Sequence, residues 1–246
     1  MNLFCMTHLL SLRHCPICGS RFKSYLVTGT SALVWNELQA VGAGKRRAIC
    51  PHCGSSDRER LIYLYLRDTY LPPLKEKKIH CLHIAPEAHL SEFLKAQPNI
   101  DYTAGDKRCA GYSYPDYVQD IDIMEMHDIP DASFDLIICN HVLEHVSNDI
   151  IAMKELRRIL KNDGIAILQV PLALKLATTI DDPTITSPEQ RFEKYGQRDH
   201  VRLYGRDYSE RLKEAGLVVK ELNIARQYSQ KYGLNKHEHL FRCHKQ

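Results

Sequence analysis

Beyond residue 78 the chain alternates short apolar runs with amphipathic stretches. The runs are IHCLHIA over 79–85, DYTAGD over 101–106, YVQDI over 117–121, FDLIICN over 134–140 and GIAILQVPL over 164–172. Runs of this length, bounded by polar clusters, predict strands buried on both faces. Helical segments fall between the first two runs and after the fourth. The clearer is NDIIAMKELRRILKNDG over 148–164, with Gly164 expected as its C-terminal stop. Strands alternating with helices predict a mostly parallel sheet. The tail predicts a helix over 208–216, a strand over 217–224 and a short strand over 238–244 that pairs antiparallel at the sheet edge. Upstream, SSDRERLIYLYLRDTY opens on capping residues, places Leu61, Leu64 and Tyr65 at helical spacing, and stops at Pro72-Pro73. It predicts a helix over 57–70 that joins the domain following it.

Composition adds a second unit. A chain of 246 residues accommodates one α/β domain and leaves about fifty residues for a small module. The expected division is a metal-binding module over 1–56 and an α/β domain over 57–246. Apolar residues at 44% and charged residues at 26% are those of an ordinary globular protein. No run approaches the roughly 18 apolar residues that span a bilayer, so no membrane partner is expected. The opening stretch MNLFCMTHLLSLRHCPICG has neither a basic leader nor a small-residue cleavage site and is not read as a signal peptide. A formal charge of +3 gives no argument for coating nucleic acid and leaves only Lys45-Arg46-Arg47 as a local basic cluster.

Four of the nine cysteines stand in two copies of one knuckle, Cys15-Pro-Ile-Cys18-Gly and Cys50-Pro-His-Cys53-Gly. In such a turn the glycine permits a tight reversal, and backbone amides point at the thiolates. Four thiolates around one Zn²⁺ form a closed structural site with no position for catalysis. His14 and His52 adjoin the ligands, but the cysteines fill the shell. Paired spacing of this kind reads as metal binding in a reducing compartment, so a cytoplasmic location is expected.

The segment PDASFDLIICNHVLEHVSNDIIAMKELRRILKNDGIAILQVP resembles the fourth strand, following helix and fifth strand of class I S-adenosylmethionine-dependent methyltransferases. The likeness extends more weakly from about residue 78 to the C-terminus. It implies a Rossmann-like, mostly parallel seven-stranded sheet with helices on both faces, and S-adenosylmethionine as cofactor. Ligands in open α/β sheets sit beyond the carboxyl ends of the strands. The resemblance therefore implies that Asp106, ahead of Lys107, receives the ribose hydroxyls. It implies that Asp120 receives the adenine amine, with Ile121 offering an amide and an apolar face. Asn140, His141 and His145 fall beside the methionyl end. The chain departs from the family at its first turn, where HIAPEAHL replaces a glycine-rich loop. His83 stands for the usual acid, and Ala85, Glu87 and His89 stand where three glycines are expected. Glu87 is then expected at the cofactor's ammonium group, or the cofactor site has been lost.

Methyl transfer needs alignment and exclusion of water, and a hydroxyl acceptor benefits from a base with a pKa near neutrality. His141 and His145 share a face if a helix begins there, and a metal held by that pair needs a further ligand. A second polar patch, EQRFEKYGQRDHVRLYGRD over 189–207, is read as too polar for core. There Asp199 orients His200 as base, and Tyr195, Arg198, His200 and Arg202 bind the acceptor. Three readings follow: methylation of a small polar metabolite, methylation of RNA guided by the zinc module with Tyr25 and Trp35 beside the basic cluster, and a non-catalytic binding protein that has lost its cofactor. Oligomeric state leaves no signature in the sequence.

Overall fold

The computed structural model describes residues 12–109 and 113–246, apart from the side chains of residues 229 and 230. The opening stretch up to residue 11, and with it the signal-peptide reading, lies outside the described residues.

The α/β part is built on a seven-stranded sheet. After the short strands β1 (Arg13–His14), β2 (Arg21–Phe22), β3 (Leu26–Thr28), β4 (Ala40–Val41) and β5 (Arg46–Ile49) outside it, its strands are β6 (Ile79–Ile84), β7 (Ile100–Asp106), β8 (Val118–Asp120), β9 (Phe134–Asn140), β10 (Leu160–Gln169), β12 (Leu217–Leu222) and β13 (Leu240–Lys245), with β11 (Leu172–Ala173) again outside it. They are ordered β12-β13-β10-β9-β6-β7-β8. All neighbours are parallel except at β13, which is antiparallel to both β10 and β12. The chain leaves β6 in one direction, to β7 and β8, then returns to β9 on the other side. That reversal opens a crevice at the carboxyl ends of β6 and β9.

The period of two along the central strands divides the core into halves. Leu136 and Ile138 of β9 join Cys81, Ile165 and Ile167 on one face, with Leu61, Leu90 and Ala225 from the covering helices. Ile137 and Cys139 join Leu82, Ile84 and Leu168 on the other, with Met153, Leu156 and Leu212. Each side chain of this size contributes roughly 1.5–3 kcal/mol when removed from water. Shifting the register of β9 by one residue exchanges the two faces, so the pairing is strongly specified.

Three expectations are corrected. The helix after β9 runs only over Asp149–Ile159, because Leu160 is already extended at φ −70°, ψ 139°. Residues 160–163 open β10 instead. Gly164 is not a helix stop: a Cβ there would lie 3.0 Å from the Phe134 carbonyl oxygen, so its smallness permits strand approach. Finally, the last strand is not the edge. β13 is inserted between β10 and β12, its Leu240, Phe241 and Cys243 buried, and β12 takes the edge.

The described part of the N-terminal unit packs against the α/β part. Its strand β4 (Ala40–Val41) pairs with β11 (Leu172–Ala173), which follows β10. Trp35, 2% exposed, packs with Ala173, Tyr195 and Leu203, and its indole nitrogen donates to the Gly196 carbonyl at 3.2 Å. Arg60, on the helix Asp57–Tyr65, is fully buried between the units. It donates to the carbonyls of Ala48, Ser55 and Tyr232 at 2.6–2.9 Å. Three carbonyls from three segments on one guanidinium couple the module to the domain.

Candidate active site and metal centre

The crevice holds a cavity of about 700 Å³, within the range of cofactor and small-molecule sites. Four strand ends contribute to it. The end of β6 gives Ala85, and the end of β7 gives Asp106 with Lys107. Beyond β8 come Ile121 and Asp122, and beyond β9 come His141, Val142 and His145. Asp199 reaches it from the segment before the helix Tyr208–Glu214.

The turn after β6 keeps the shape of a glycine turn without glycine. Ala85 sits at φ +48° and its amide donates to the Gly105 carbonyl at 2.8 Å. A left-handed conformation costs a non-glycine residue roughly 1–2 kcal/mol, so the surrounding pairing must hold it. His141, at φ +57°, makes the corresponding reversal after β9. Beneath the turn lies a bridge. Glu87 accepts from Asn140 Nδ2 on β9 through one carboxylate oxygen and meets His83 Nε2 at 2.8 Å through the other, while His83 Nδ1 meets the Tyr102 hydroxyl at 3.1 Å. This chain of contacts ties β6, β7 and β9 together under the cavity floor.

Burial raises the pKa of Asp106. At Asp122 burial acts in the same direction, but the Lys107 ammonium at 2.6 Å and the Met124 amide outweigh it and lower the carboxyl. Asp199 is lowered to about 2 by its contact with His145.

Residues 81–168 match the family described as a methyltransferase domain. That match covers about a third of the chain, from β6 through most of β10. Among solved structures the chain is similar to a candidate methyltransferase of Bacillus halodurans (19% identity, 59% of this chain and 62% of that one, TM-score 0.41). It is also similar to the YcgJ protein of Bacillus subtilis (20% identity, 58% and 64%, TM-score 0.40). A third similar structure is a SAM-dependent methyltransferase of Archaeoglobus fulgidus (18% identity, 67% and 72%, TM-score 0.44). The chain thus spans less than two thirds of the first two of these proteins. No curated protein matches its sequence.

Around the cavity the structure sorts the expected site residues. Ala85, Asp106, Lys107, Ile121, His141, His145 and Asp199 line the cavity. His83 does not: it is fully buried, and it braces Glu87. Asn140, 4% exposed, and Glu87 belong to the same bridge. Asp120 is exposed and accepts from the Arg108 amide at 3.0 Å. Asp122, two residues on, lines the cavity in its place. The Ile121 amide is already donated to the Asp106 carbonyl at 3.0 Å, which leaves Ile121 its apolar face only. His89 serves the module: its ring nitrogens contact Glu59 Oε1 at 2.8 Å and the Cys53 carbonyl at 2.7 Å.

The patch over 189–207 is corrected most. His200 and Arg202 are each 1% exposed and Tyr195 is fully buried, so these residues are core. Arg202 Nη1 donates to the carbonyls of Leu143 and Val146 at 2.7 and 2.5 Å, and Nη2 to Ser147 at 3.1 Å. Its charge faces Asp181 at 3.1 Å and Asp149 at 3.9 Å. Arg202 therefore positions the loop that displays His145. Tyr195 anchors its hydroxyl on the backbone of Asp182. Arg198 is exposed and paired with Glu189. Asp199 contacts His145 Nδ1 at 3.3 Å rather than orienting His200, whose pKa burial lowers to about 3. His141 and His145 share no helix face, because the helix starts only at Asp149, after the Asn148 cap.

At the other end of the module, the four cysteine sulfurs come within 4.8 Å of one another. Cys15–Cys53 and Cys18–Cys50 Sγ distances are both 3.8 Å. A tetrahedral ion with Zn–S bonds of about 2.3 Å has sulfur–sulfur edges of about 3.8 Å, so the donor set fits zinc. Gly19 and Gly54, at φ +72° and +81°, close the knuckles, their amides donating to Cys15 and Cys50 carbonyls. Tyr25 and Trp35 are 3% and 2% exposed and offer no face to a base. Arg46 is held by Asp57 at 2.6 Å and Arg47 by Ser24 and the Tyr25 carbonyl.

Proposed function

We propose that the protein transfers a methyl group from S-adenosylmethionine to an oxygen or nitrogen of a small polar acceptor, and that zinc in the four-cysteine centre is structural. The carrying observation is the cavity at the strand reversal, with a carboxylate at the end of β7 and a left-handed turn at the end of β6. When bound, S-adenosylmethionine supplies an electrophilic methyl carbon on a sulfonium. Asp106 accepts hydrogen bonds from its ribose hydroxyls, and an ionised acceptor suits two donors. Asp122 with Lys107, and the Ile121 face, bound the adenine end. Val142 and Val146 exclude water on the side where His145 and Asp199 offer polar contacts to an acceptor.

A small acceptor is favoured over RNA because the two aromatics and two of the three basic residues beside the knuckles are committed within the fold. Among the described residues no helix is long and apolar enough to cross a membrane. A cytoplasmic location remains part of this reading.

Calorimetric titration of the zinc-replete chain with S-adenosylhomocysteine tests the cofactor. Binding is expected. Asp106→Ala should weaken it roughly 10- to 100-fold, the loss of about 1.5–3 kcal/mol for hydrogen bonds to a charged group, while Asp120→Ala leaves it unchanged. Absence of binding to the unmodified chain refutes the proposal and leaves the non-catalytic reading. A salt-dependent RNA shift in place of acceptor turnover refutes the small-molecule part alone.

A further inference from the structure

We propose that Glu144, His145 and His200 bind a divalent first-row transition-metal ion beside the cofactor cavity, separate from the four-cysteine centre.

Each of the three offers a ligand atom, and these atoms lie within 4.8 Å of one another. Two come from the turn after β9 and the third from 55 residues further on, so only the fold brings them together. Glu144 and His200 are each 1% exposed, yet Glu144 Oε2 and both ring nitrogens of His200 have no hydrogen-bond partner. A buried polar atom without a partner costs about 1–3 kcal/mol, and native structures carry few of them. A cation between them would take up Glu144 Oε2 and one His200 nitrogen together.

The surroundings suit such an ion. Asp199 Oδ2 stands 3.3 Å from His145 Nδ1, the carboxylate behind an imidazole that fixes the tautomer and leaves the other nitrogen to coordinate. His141 stands next to this set without belonging to it. Its Nδ1 is 3.3 Å from Glu144 Oε1, and neither of its buried nitrogens is hydrogen-bonded. The Arg202 fork on the carbonyls of 143, 146 and 147 holds the turn in place before any ion arrives. Two imidazoles and one carboxylate form a set with open positions that suits manganese, iron, cobalt or zinc better than calcium. His145 and Asp199 line the cavity, so those positions face its interior. There they are open to an oxygen donor, such as a hydroxyl or carboxylate, on the acceptor; this last step rests on the methyltransferase reading, and the site itself does not.

Mn²⁺ titration followed by electron paramagnetic resonance tests the site on full-length protein carrying one zinc per chain by elemental analysis. Manganese prefers oxygen and nitrogen donors and leaves the thiolates to zinc. One bound manganese per chain is expected. Asp199→Asn, a change at an exposed side chain, should weaken it roughly 10- to 100-fold. His145→Ala and His200→Ala should abolish it. Should His200→Ala fail to fold, Asp199→Asn and His145→Ala carry the test. No manganese bound beyond the zinc, or equal affinity in the Asp199→Asn and His145→Ala proteins, overturns the proposal. Manganese binding without S-adenosylhomocysteine binding upholds the site and removes only its assignment to an acceptor.

Discussion

Arg202→Lys separates a residue that holds the active-site loop from one that holds substrate. In the structure its guanidinium serves three backbone carbonyls, of Leu143, Val146 and Ser147, and one carboxylate, of Asp181, from a side chain 1% exposed. A lysine keeps the charge but concentrates three donors at one point, and it cannot span carbonyls that the planar fork reaches from two nitrogens. At least two of these acceptors then lose their partner in a buried site, at about 1–3 kcal/mol each. The total, roughly 2–6 kcal/mol, corresponds to a fall of about 4–24 °C in Tm for a chain of this size. Scanning calorimetry on both proteins, with S-adenosylhomocysteine titration of each, checks the figure. Cofactor binding should weaken only as the 141–147 loop loosens. A Tm within about 2 °C of the parent, together with a large loss of acceptor turnover, would refute the positional role and restore Arg202 as a substrate contact.

Two further outcomes follow from the same packing. Cys50→Ser should reduce bound zinc below one per chain by elemental analysis. Because Trp35 and Arg60 couple the module to the domain, thermal unfolding should shift as one transition; two separate transitions would show the units to be independent. Asp149, 2% exposed, has its pKa lowered: burial opposes ionisation, but the Arg211 fork at 2.6 and 2.9 Å and the Arg202 charge outweigh it. Its contribution is therefore complete above the unfolded-state value of about 3.9 and is lost as pH falls through the lower folded value. Urea unfolding at pH 6 and pH 3 should show Asp149→Asn less stable at pH 6, with a smaller loss between the two; parallel losses would refute the linkage.

The apolar runs of β6, β9 and β10, continuous because both faces of these strands are covered, are enough by themselves to read a parallel sheet with helices on each side. The two knuckles carry their metal chemistry in their spacing, since C-x-x-C with a following glycine is a local device. The ends of the apolar runs likewise place Ala85, Asp106 and His141 near the crevice, because they fix where each strand stops. What lies beyond the strand ends is different, because a loop has no period. Asp120 and Asp122 have the same parity, and only the turn after β8 decides that Asp122 faces the cavity. Density of charge over 189–207 reads as surface, yet Arg202, Tyr204 and His200 are core because the carbonyls of 143–147 and the Asp149 carboxylate stand ready to satisfy two of them. The Glu144, His145 and His200 cluster, and the seat of the four-cysteine module on Gly196, arise from segments far apart in the chain. Local pattern specifies which residues can be buried; only the tertiary structure specifies which buried polar groups find partners and which are left facing one another.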